Sequence, residues 1–162
     1  MNAREYQAVS ARTLNKVTVE VGTQQLEVMN YLFGLVGEWG EFLVCLPADE
    51  VDECGDCWWY FAALHSVLKL DMSATLELGV RAGRALQDGR HVLAQMCEMV
   101  KKWVFHGKAW DMWAFEGLLV EFGAALLHQT PFGVTVDDVW AWNKRKLEKR
   151  YKDGFVTGGG VR

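Results

Sequence analysis

Proline is scarce in this sequence, with 2 residues in 162. Alanine, leucine, glutamate, lysine and methionine are plentiful, so helices meet few breaks and signals for strands are few. Hydrophobic residues make up 51% of the chain, which is enough to fill the core of one domain of this length. We therefore predict an all-α fold, an antiparallel bundle of about six to seven helices in a single domain over residues 1–155. The glycine-rich residues 156–162 are expected to form a flexible tail.

Long hydrophobic runs are also lacking. Acidic residues interrupt the apolar segments well before the roughly 20 residues that a membrane span needs. These residues are Glu38, Glu41, Glu116 and Glu121. The N-terminus has no charged start that leads into an apolar signal core. We therefore expect a cytoplasmic protein that does not bind membranes and keeps its 4 cysteines reduced.

The chain has no excess of positive charge, because its net charge is −4. Proteins that bind nucleic acid generally need a cationic face that neutralises phosphates. We therefore expect no stable binding to nucleic acid. A local basic site for a smaller phosphate ligand remains compatible with this charge.

Apolar residues recur at helical spacing along most of the chain. Pro47 ends the second predicted helix, and Ser73 is expected to cap the fourth. Thr135 and Asp138 resemble a capping box that opens the last helix. The predicted helices cover approximately residues 3–20, 24–46, 49–70, 73–89, 91–105, 110–128 and 135–151.

Two acidic pairs lie on the second and third predicted helices. Glu38 and Glu41 form one pair, and Glu53 and Asp56 form the other. The spacing of three residues places both carboxylates of a pair on one helical face, and the short connection makes the two helices neighbours. Four converging carboxylates among apolar residues would repel each other unless a cation lay between them. Carboxylate oxygens suit Mg²⁺, with Mn²⁺ as a substitute, so the pattern favours a hard-metal site and phosphoryl chemistry.

The alternative for either pair alone is an ordinary solvated helix face in a chain with 21 acidic residues. Three glycines beside the acids argue against that reading, because glycine weakens a helix and usually marks a close approach. These glycines are Gly37, Gly40 and Gly55. We therefore expect another group to approach the helices at these positions.

The sequence around each acidic pair extends the pattern. Residues 34–41 read Gly-Leu-Val-Gly-Glu-Trp-Gly-Glu, and residues 53–60 read Glu-Cys-Gly-Asp-Cys-Trp-Trp-Tyr. Both segments resemble helices of the MazG-like nucleoside triphosphate pyrophosphohydrolases, which are all-α. Residues 5–13 and 143–155 are similar to the two ends of the short phage and bacterial members of that family. Together these segments span most of the chain.

The resemblance implies a reaction and a set of ligands. Glu38, Glu41, Glu53 and Asp56 would hold Mg²⁺, and an activated water would attack a nucleoside triphosphate, giving a monophosphate and pyrophosphate. Glu38 and Glu41 are therefore the expected catalytic residues, with Glu41 orienting the water. Such a reaction is physically coherent because a metal ion can activate water and neutralise phosphate charge together.

Basic and aromatic residues supply candidate substrate contacts. Asn143, Lys146 and Arg150 share one side of the last helix and match the family, so we expect them to contact phosphate or sugar. The alternative is a solvated basic face near a helix C-terminus. Trp39 and Trp59 lie near the acids and are expected to stack on a base, with core packing as the alternative.

A further basic segment is displaced along the chain. Lys101, Lys102 and His106 resemble a family element that lies between the acidic pairs there but follows both pairs here. The run of residues 61–65 is also echoed at residues 123–128. We interpret this as a decayed internal duplication of repeats 1–88 and 89–155, in which the three basic residues complete one substrate site. The protein would then be a homodimer, or a monomer that mimics a dimer.

Two other functions stay open. Cys54 and Cys57 form a Cys-x-x-Cys motif, which is compatible with half of a zinc site or with a redox site. The displaced basic segment and the short connection between the acidic helices are also compatible with a protein that binds nucleotides without hydrolysing them.

Overall fold

The structure is a computed structural model that describes residues 20–82 and 88–151. These residues form six α-helices and no strand, so the all-α prediction is confirmed. The helices are α1 (Thr23–Phe42), α2 (Glu50–Leu68), α3 (Met72–Ala82), α4 (Gly89–Phe105), α5 (Met112–His128) and α6 (Val136–Arg150). The predicted helix at 3–20 and the expected tail at 156–162 lie outside the described residues. Within the described residues, no helix has both the length and the apolar character that crossing a membrane requires.

Local interactions account for several helix ends. The predicted capping box of α6 is confirmed, since Asp138 N donates to the Thr135 hydroxyl and Thr135 N donates to the Asp138 carboxylate. The expected cap of α3 at Ser73 is wrong, because Asp71 accepts a hydrogen bond from Ser73 N at 2.9 Å. Asp71 is better placed because it directly precedes the first helical residue.

The connection between α1 and α2 is longer than the sequence predicted. α1 ends at Phe42 rather than near residue 46, and residues 43–49 make the turn. The chain has to reverse before α2, and the residue before Pro47 is disfavoured in helical conformation. At its other end, α2 stops at Lys69, which adopts the left-handed conformation with a φ of 57°.

The core lies between the two longest helices, α1 and α2, and the hairpin formed by α4 and α5. Phe122 of α5 joins the two sides, with ring centroids 5.1 Å from Trp39 and 6.1 Å from Phe61. All three side chains are buried. Burial of one such apolar side chain stabilises the fold by roughly 1.5–3 kcal/mol, so this cluster anchors the helices that carry the acidic pairs.

The main helix contacts follow a repeated pattern. α1 packs on α2, and α4 packs on α5; α1 also meets α4, and α2 meets α5. α6 packs on α2, while α3 packs on α5. This set of contacts is unchanged when α1, α2 and α3 are exchanged with α4, α5 and α6. A duplicated unit of three helices would give the same pattern, and superposition of the two halves is the test of that hypothesis.

Candidate functional site

Three carboxylates converge where α1 meets α2. One oxygen from each of Glu38, Glu53 and Asp56 lies within 4.8 Å of the other two. Among residues 20–82 and 88–151, this is the one group of three or more histidine, cysteine or acidic side chains with such spacing. Glu41 is exposed and lies outside the group. The structure thus brings together three of the four predicted metal ligands.

The converging acids perturb each other strongly. Burial raises the pKa of Glu38 to about 7, and the charges of Asp56, Glu41 and Glu53 add to this effect. Burial and the charges of Glu41 and Asp56 also raise the pKa of Glu53. Raised carboxylate pKa values mean that negative charge is unfavourable here, so a cation would be stabilised by the same groups.

Helix α6 contributes a lysine to the acidic site. Lys146 Nζ lies 2.7 Å from Asp56 Oδ2 and 2.9 Å from Asp52 Oδ1. Burial by itself lowers the pKa of Lys146, but the hydrogen bonds to Asp56 and Asp52 outweigh it, so the lysine pKa is raised. The predicted substrate residue Lys146 is therefore at the site, where it contacts two carboxylates directly.

An asparagine and a glycine allow α6 to approach α2 closely. Asn143 is buried, and its Nδ2 donates to Asp56 Oδ1 at 2.9 Å. A Cβ atom at Gly55 would lie 2.9 Å from the Asn143 Cβ, so a larger residue would push α6 away. The close approach predicted at Gly55 is confirmed, whereas Gly37 and Gly40 have open space beside them.

Sequence reasoning missed Asp52, which lies one helical turn before Asp56 on the same face of α2. Its Oδ1 accepts hydrogen bonds from Lys146 and, at 3.2 Å, from Trp142 Nε1. The spacing of four residues between Asp52 and Asp56 equals the spacing between Trp142 and Lys146. This matched spacing could have indicated the contact of Asp52 with α6. It is informative only once α2 is known to pack against α6.

A cavity of about 630 Å³ opens beside the carboxylates. Glu38 and Asp56 form part of its wall, and Arg150 reaches it from the end of α6. Its volume falls within the usual range for small-molecule sites. The aromatic part of the wall consists of Tyr31, Trp59 and Tyr60.

The aromatic wall depends on one close contact between α1 and α2. The Trp59 and Tyr60 rings meet edge to face with centroids 4.8 Å apart. The Tyr60 ring covers Gly34, where a Cβ atom would lie 2.0 Å from Tyr60 Cε1. Glycine is therefore required for this ring position. Trp59 is 40% exposed, which leaves part of its surface open to a ligand.

Trp39 lies in the core and not in this cavity. Its side chain is 3% exposed and packs against Phe42 and Phe122. Gly89, at the start of α4, also approaches it, because a Cβ there would lie 2.6 Å from the indole ring. The structure therefore matches the core-packing alternative for Trp39.

The basic residues near the end of α4 are not in the cavity wall. Lys101 and Lys102 both form ion pairs with Glu98 on their own helix, and His106 is exposed just after it. α4 makes its main contacts with α1 and α5 and none of comparable extent with α6. The proposed substrate contacts of these three residues stay a prediction.

The two cysteines of the Cys-x-x-Cys motif are buried in the core. Burial raises the pKa of Cys54 to about 11 and also raises that of Cys57. Thiols must lose their proton to bind zinc or to act as nucleophiles. No third ligand gathers with this pair in the part of the chain that the structure describes. Burial thus disfavours the thiolate that a redox site needs, and two ligands alone are too few for a structural zinc site.

Comparison of the chain with protein-family models, curated proteins and solved structures finds no match. The resemblance to MazG-like enzymes therefore stays a prediction. Of the segments that carry it, residues 34–41 lie on α1, residues 53–60 on α2 and residues 143–150 on α6, and α2 packs against both of the other helices. Residues 5–13 lie outside the described residues.

Proposed function

We propose that this protein is a Mg²⁺-dependent nucleoside triphosphate pyrophosphohydrolase, which converts a ribo- or deoxynucleoside triphosphate to the monophosphate and pyrophosphate. Its role would be to control or cleanse the nucleotide pool. The observation that carries the proposal is the convergence of Glu38, Glu53 and Asp56 beside a cavity with an aromatic wall. The similarity of the surrounding segments to the MazG-like family supports the same reaction.

The chemistry of the donor set fits a hard divalent cation. Glu38, Glu53 and Asp56 would hold it, since they offer oxygens within 4.8 Å of one another and are only partly exposed. The raised pKa values of Glu38 and Glu53 reflect the same unfavourable negative charge that a cation would offset. When bound, Mg²⁺ supplies charge neutralisation for phosphate oxygens and lowers the pKa of a water molecule.

The chain's own side chains would perform the remaining tasks. Trp59 and Tyr60 offer aromatic faces to a base, and Arg150 offers a planar cation to phosphate oxygens. The charge of Glu41 acts on Glu38 and Glu53, although Glu41 does not belong to the converging group, and this placement suits the role of orienting the attacking water. Positioning of this kind supplies much of the catalysis in phosphoryl chemistry.

The direct test is incubation with individual ribo-, deoxy- and modified nucleoside triphosphates and Mg²⁺, with monophosphate and pyrophosphate followed by chromatography. We expect turnover of at least one triphosphate. Glu38→Gln and Asp56→Asn should each lower it by about 100-fold or more, because each removes a proposed metal ligand. The matched control is Glu77→Gln, which changes an exposed acid on α3 that pairs with Arg81.

No turnover of any triphosphate would overturn the enzymatic proposal. The second candidate is a protein that binds nucleotides without hydrolysing them. The exclusion of Glu41 from the converging group favours it, because one expected ligand is then missing. Calorimetry with Mg²⁺ and each triphosphate would distinguish the two, since the binding protein would give heat of binding without product.

A further inference from the structure

Helix α6 places the positive charge of Lys146 on Asp56, one of the three converging acids. We propose that Lys146 is the resident cation of this site and that Asp52 holds the lysine when a divalent metal takes Asp56. This inference rests on the proposed function, since it concerns how a metal enters the same carboxylates. It assigns a positioning role to Asp52, which no motif indicated.

Both carboxylate oxygens of Asp56 accept a hydrogen bond from a residue of α6. Lys146 Nζ lies 2.7 Å from Oδ2, and Asn143 Nδ2 donates to Oδ1 at 2.9 Å. Asp56 is nevertheless one of the three converging carboxylates. The Lys146 side chain is only 17% exposed, so water screens its charge poorly. A divalent metal and this ammonium group therefore compete for one carboxylate.

The competition is electrostatic. A cation bound by Asp56 would lie close to the Lys146 ammonium, and like charges at such distances repel strongly in half-buried surroundings. The lysine must therefore reduce its contact with Asp56 when a metal binds. Because the ammonium group is at the end of a flexible stem, small rotations near that end can move it.

Asp52 offers the displaced lysine a second partner. Its Oδ1 already lies 2.9 Å from Lys146 Nζ, and the indole of Trp142 donates to the same oxygen at 3.2 Å. Asp52 does not belong to the converging group, so a metal can bind without competing for it. Lys146 can thus leave Asp56 and still pair with the negative charge of Asp52. The N–H groups that no longer donate to Asp56 can then bind an anionic substrate.

The experiment measures Mn²⁺ binding without nucleotide, using the electron paramagnetic resonance signal of free Mn²⁺ at low ionic strength. Lys146→Met removes the competing charge and should tighten Mn²⁺ binding by about tenfold. Lys144→Met is the matched control, because Lys144 is an exposed lysine on the same helix that pairs with Glu148. It should change the affinity by less than about twofold.

A double-mutant cycle tests the role of Asp52. Asp52→Asn should weaken Mn²⁺ binding in the natural chain, because Lys146 then depends on Asp56 alone. In the Lys146→Met background the same change should have a clearly smaller effect, since no lysine has to be held. Simple loss of a nearby negative charge would instead weaken binding equally in both backgrounds.

The outcomes separate this inference from the proposed function. If neither the natural chain nor Lys146→Met binds Mn²⁺, the metal-dependent function fails. A second outcome is that the natural chain binds Mn²⁺ but Lys146→Met does not bind it more tightly, or that the two effects of Asp52→Asn are equal. Either result would overturn the proposed movement of Lys146 from Asp56 to Asp52 and leave the metal site in place. Circular dichroism verifies folding, and Lys146→Gln replaces Lys146→Met if that variant does not fold.

Discussion

The contact between α2 and α6 and the contact between α5 and α3 have corresponding places in the fold but opposite chemistry. In the first, Asp52 and Asp56 meet Asn143 and Lys146 through hydrogen bonds. In the second, small residues allow a tight apolar approach: a Cβ atom at Gly79 would lie 3.1 Å from the Val120 carbonyl oxygen. Packing alone can therefore hold a helix in this position.

This difference indicates that the charged contact serves more than folding. Half-buried charges lose hydration, and a buried ion pair often stabilises a protein no better than apolar residues would. The chain keeps three perturbed groups around one contact, namely Glu38, Glu53 and Lys146. The unfavourable negative charge of Glu38 and Glu53 is understandable if these groups bind a ligand. The following predictions test that distinction, beginning with the largest effect.

Loss of the packed core should have the largest effect on stability. Phe122→Ala should lower the free energy of unfolding by about 3–5 kcal/mol, because it leaves a cavity between Trp39 and Phe61. Urea unfolding followed by circular dichroism measures this change. Phe132→Ala, at a fully exposed position, is the control and should change stability by less than about 0.5 kcal/mol. Similar losses in the two variants would contradict the assigned core.

Loss of the asparagine that orients Asp56 should reduce the affinity for Mg²⁺ more than the stability of the fold. Asn143→Ala should reduce Mg²⁺ affinity by about 10–100-fold, because partners that orient metal ligands have effects of this size. Calorimetric titration with Mg²⁺ measures it. Leu76→Ala, in the apolar contact of α3 with α5, is the control; it should lower stability and leave the affinity unchanged. Equal affinities for the natural chain and Asn143→Ala would remove Asn143 from the site.

The converging acids beside the charged contact should also give a pH dependence that the apolar contact lacks. The folded protein raises the pKa of Glu38 from its ordinary value of 4.5 to about 7. The folded state therefore binds the proton of the Glu38 carboxyl more tightly than the unfolded state does. The stabilisation from protonated Glu38 is complete below pH 4.5 and is lost as the pH rises through about 7.

The measurement compares urea unfolding of the natural chain and Glu38→Gln between about pH 5 and about pH 8, first in buffer with a chelator and then with Mg²⁺ in place of the chelator. The stability of the natural chain relative to the variant should fall across this interval, and Mg²⁺ should lessen the fall. A relative stability that rises with pH would show that the carboxylate is favoured in its charged form. Glu77→Gln provides the exposed control.

The smallest effect is expected at an exposed ion pair. Arg81 and Glu77 form an i,i+4 pair at 3.4 Å on the surface of α3. Arg81→Ala should change the free energy of unfolding by less than about 0.5 kcal/mol, because exposed pairs are well solvated. Thermal unfolding at low and high salt measures it. A larger loss would show that α3 depends on surface charge as well as on its apolar contact with α5.

Much of the acidic site could be predicted because it depends on spacing within helices. Glu53 and Asp56 are three residues apart, so any helix places them on one face. Glu38 could be added because the connection between α1 and α2 is short. Glu41 shares a helical face with Glu38 but lies outside the converging group. The rotation and separation of α1 and α2 decide which carboxylates on their facing sides come together. The spacing of residues within one helix does not determine either quantity.

Other assignments failed to follow from the sequence for a related reason. Trp39 precedes an acidic residue by two positions, but the helix turns it into the core. Asp52 and Lys146 lie far apart in the sequence, so no local pattern pairs them.

 The two residues lie on α2 and α6, and only the packing of these helices brings them into contact. Lys101 and Lys102 were placed in the site by resemblance, whereas in the structure they pair with Glu98.

The sequence by itself determined the helical class, the capping box of α6 and the pairing of acids on single helical faces. These features depend on interactions within a few residues, which the order of residues specifies directly. Only the tertiary structure decided that Glu38, Glu53 and Asp56 converge, that Lys146 pairs with Asp56 and that Trp39 is buried. Those contacts depend on how separate helices pack, and packing is a property of the whole core.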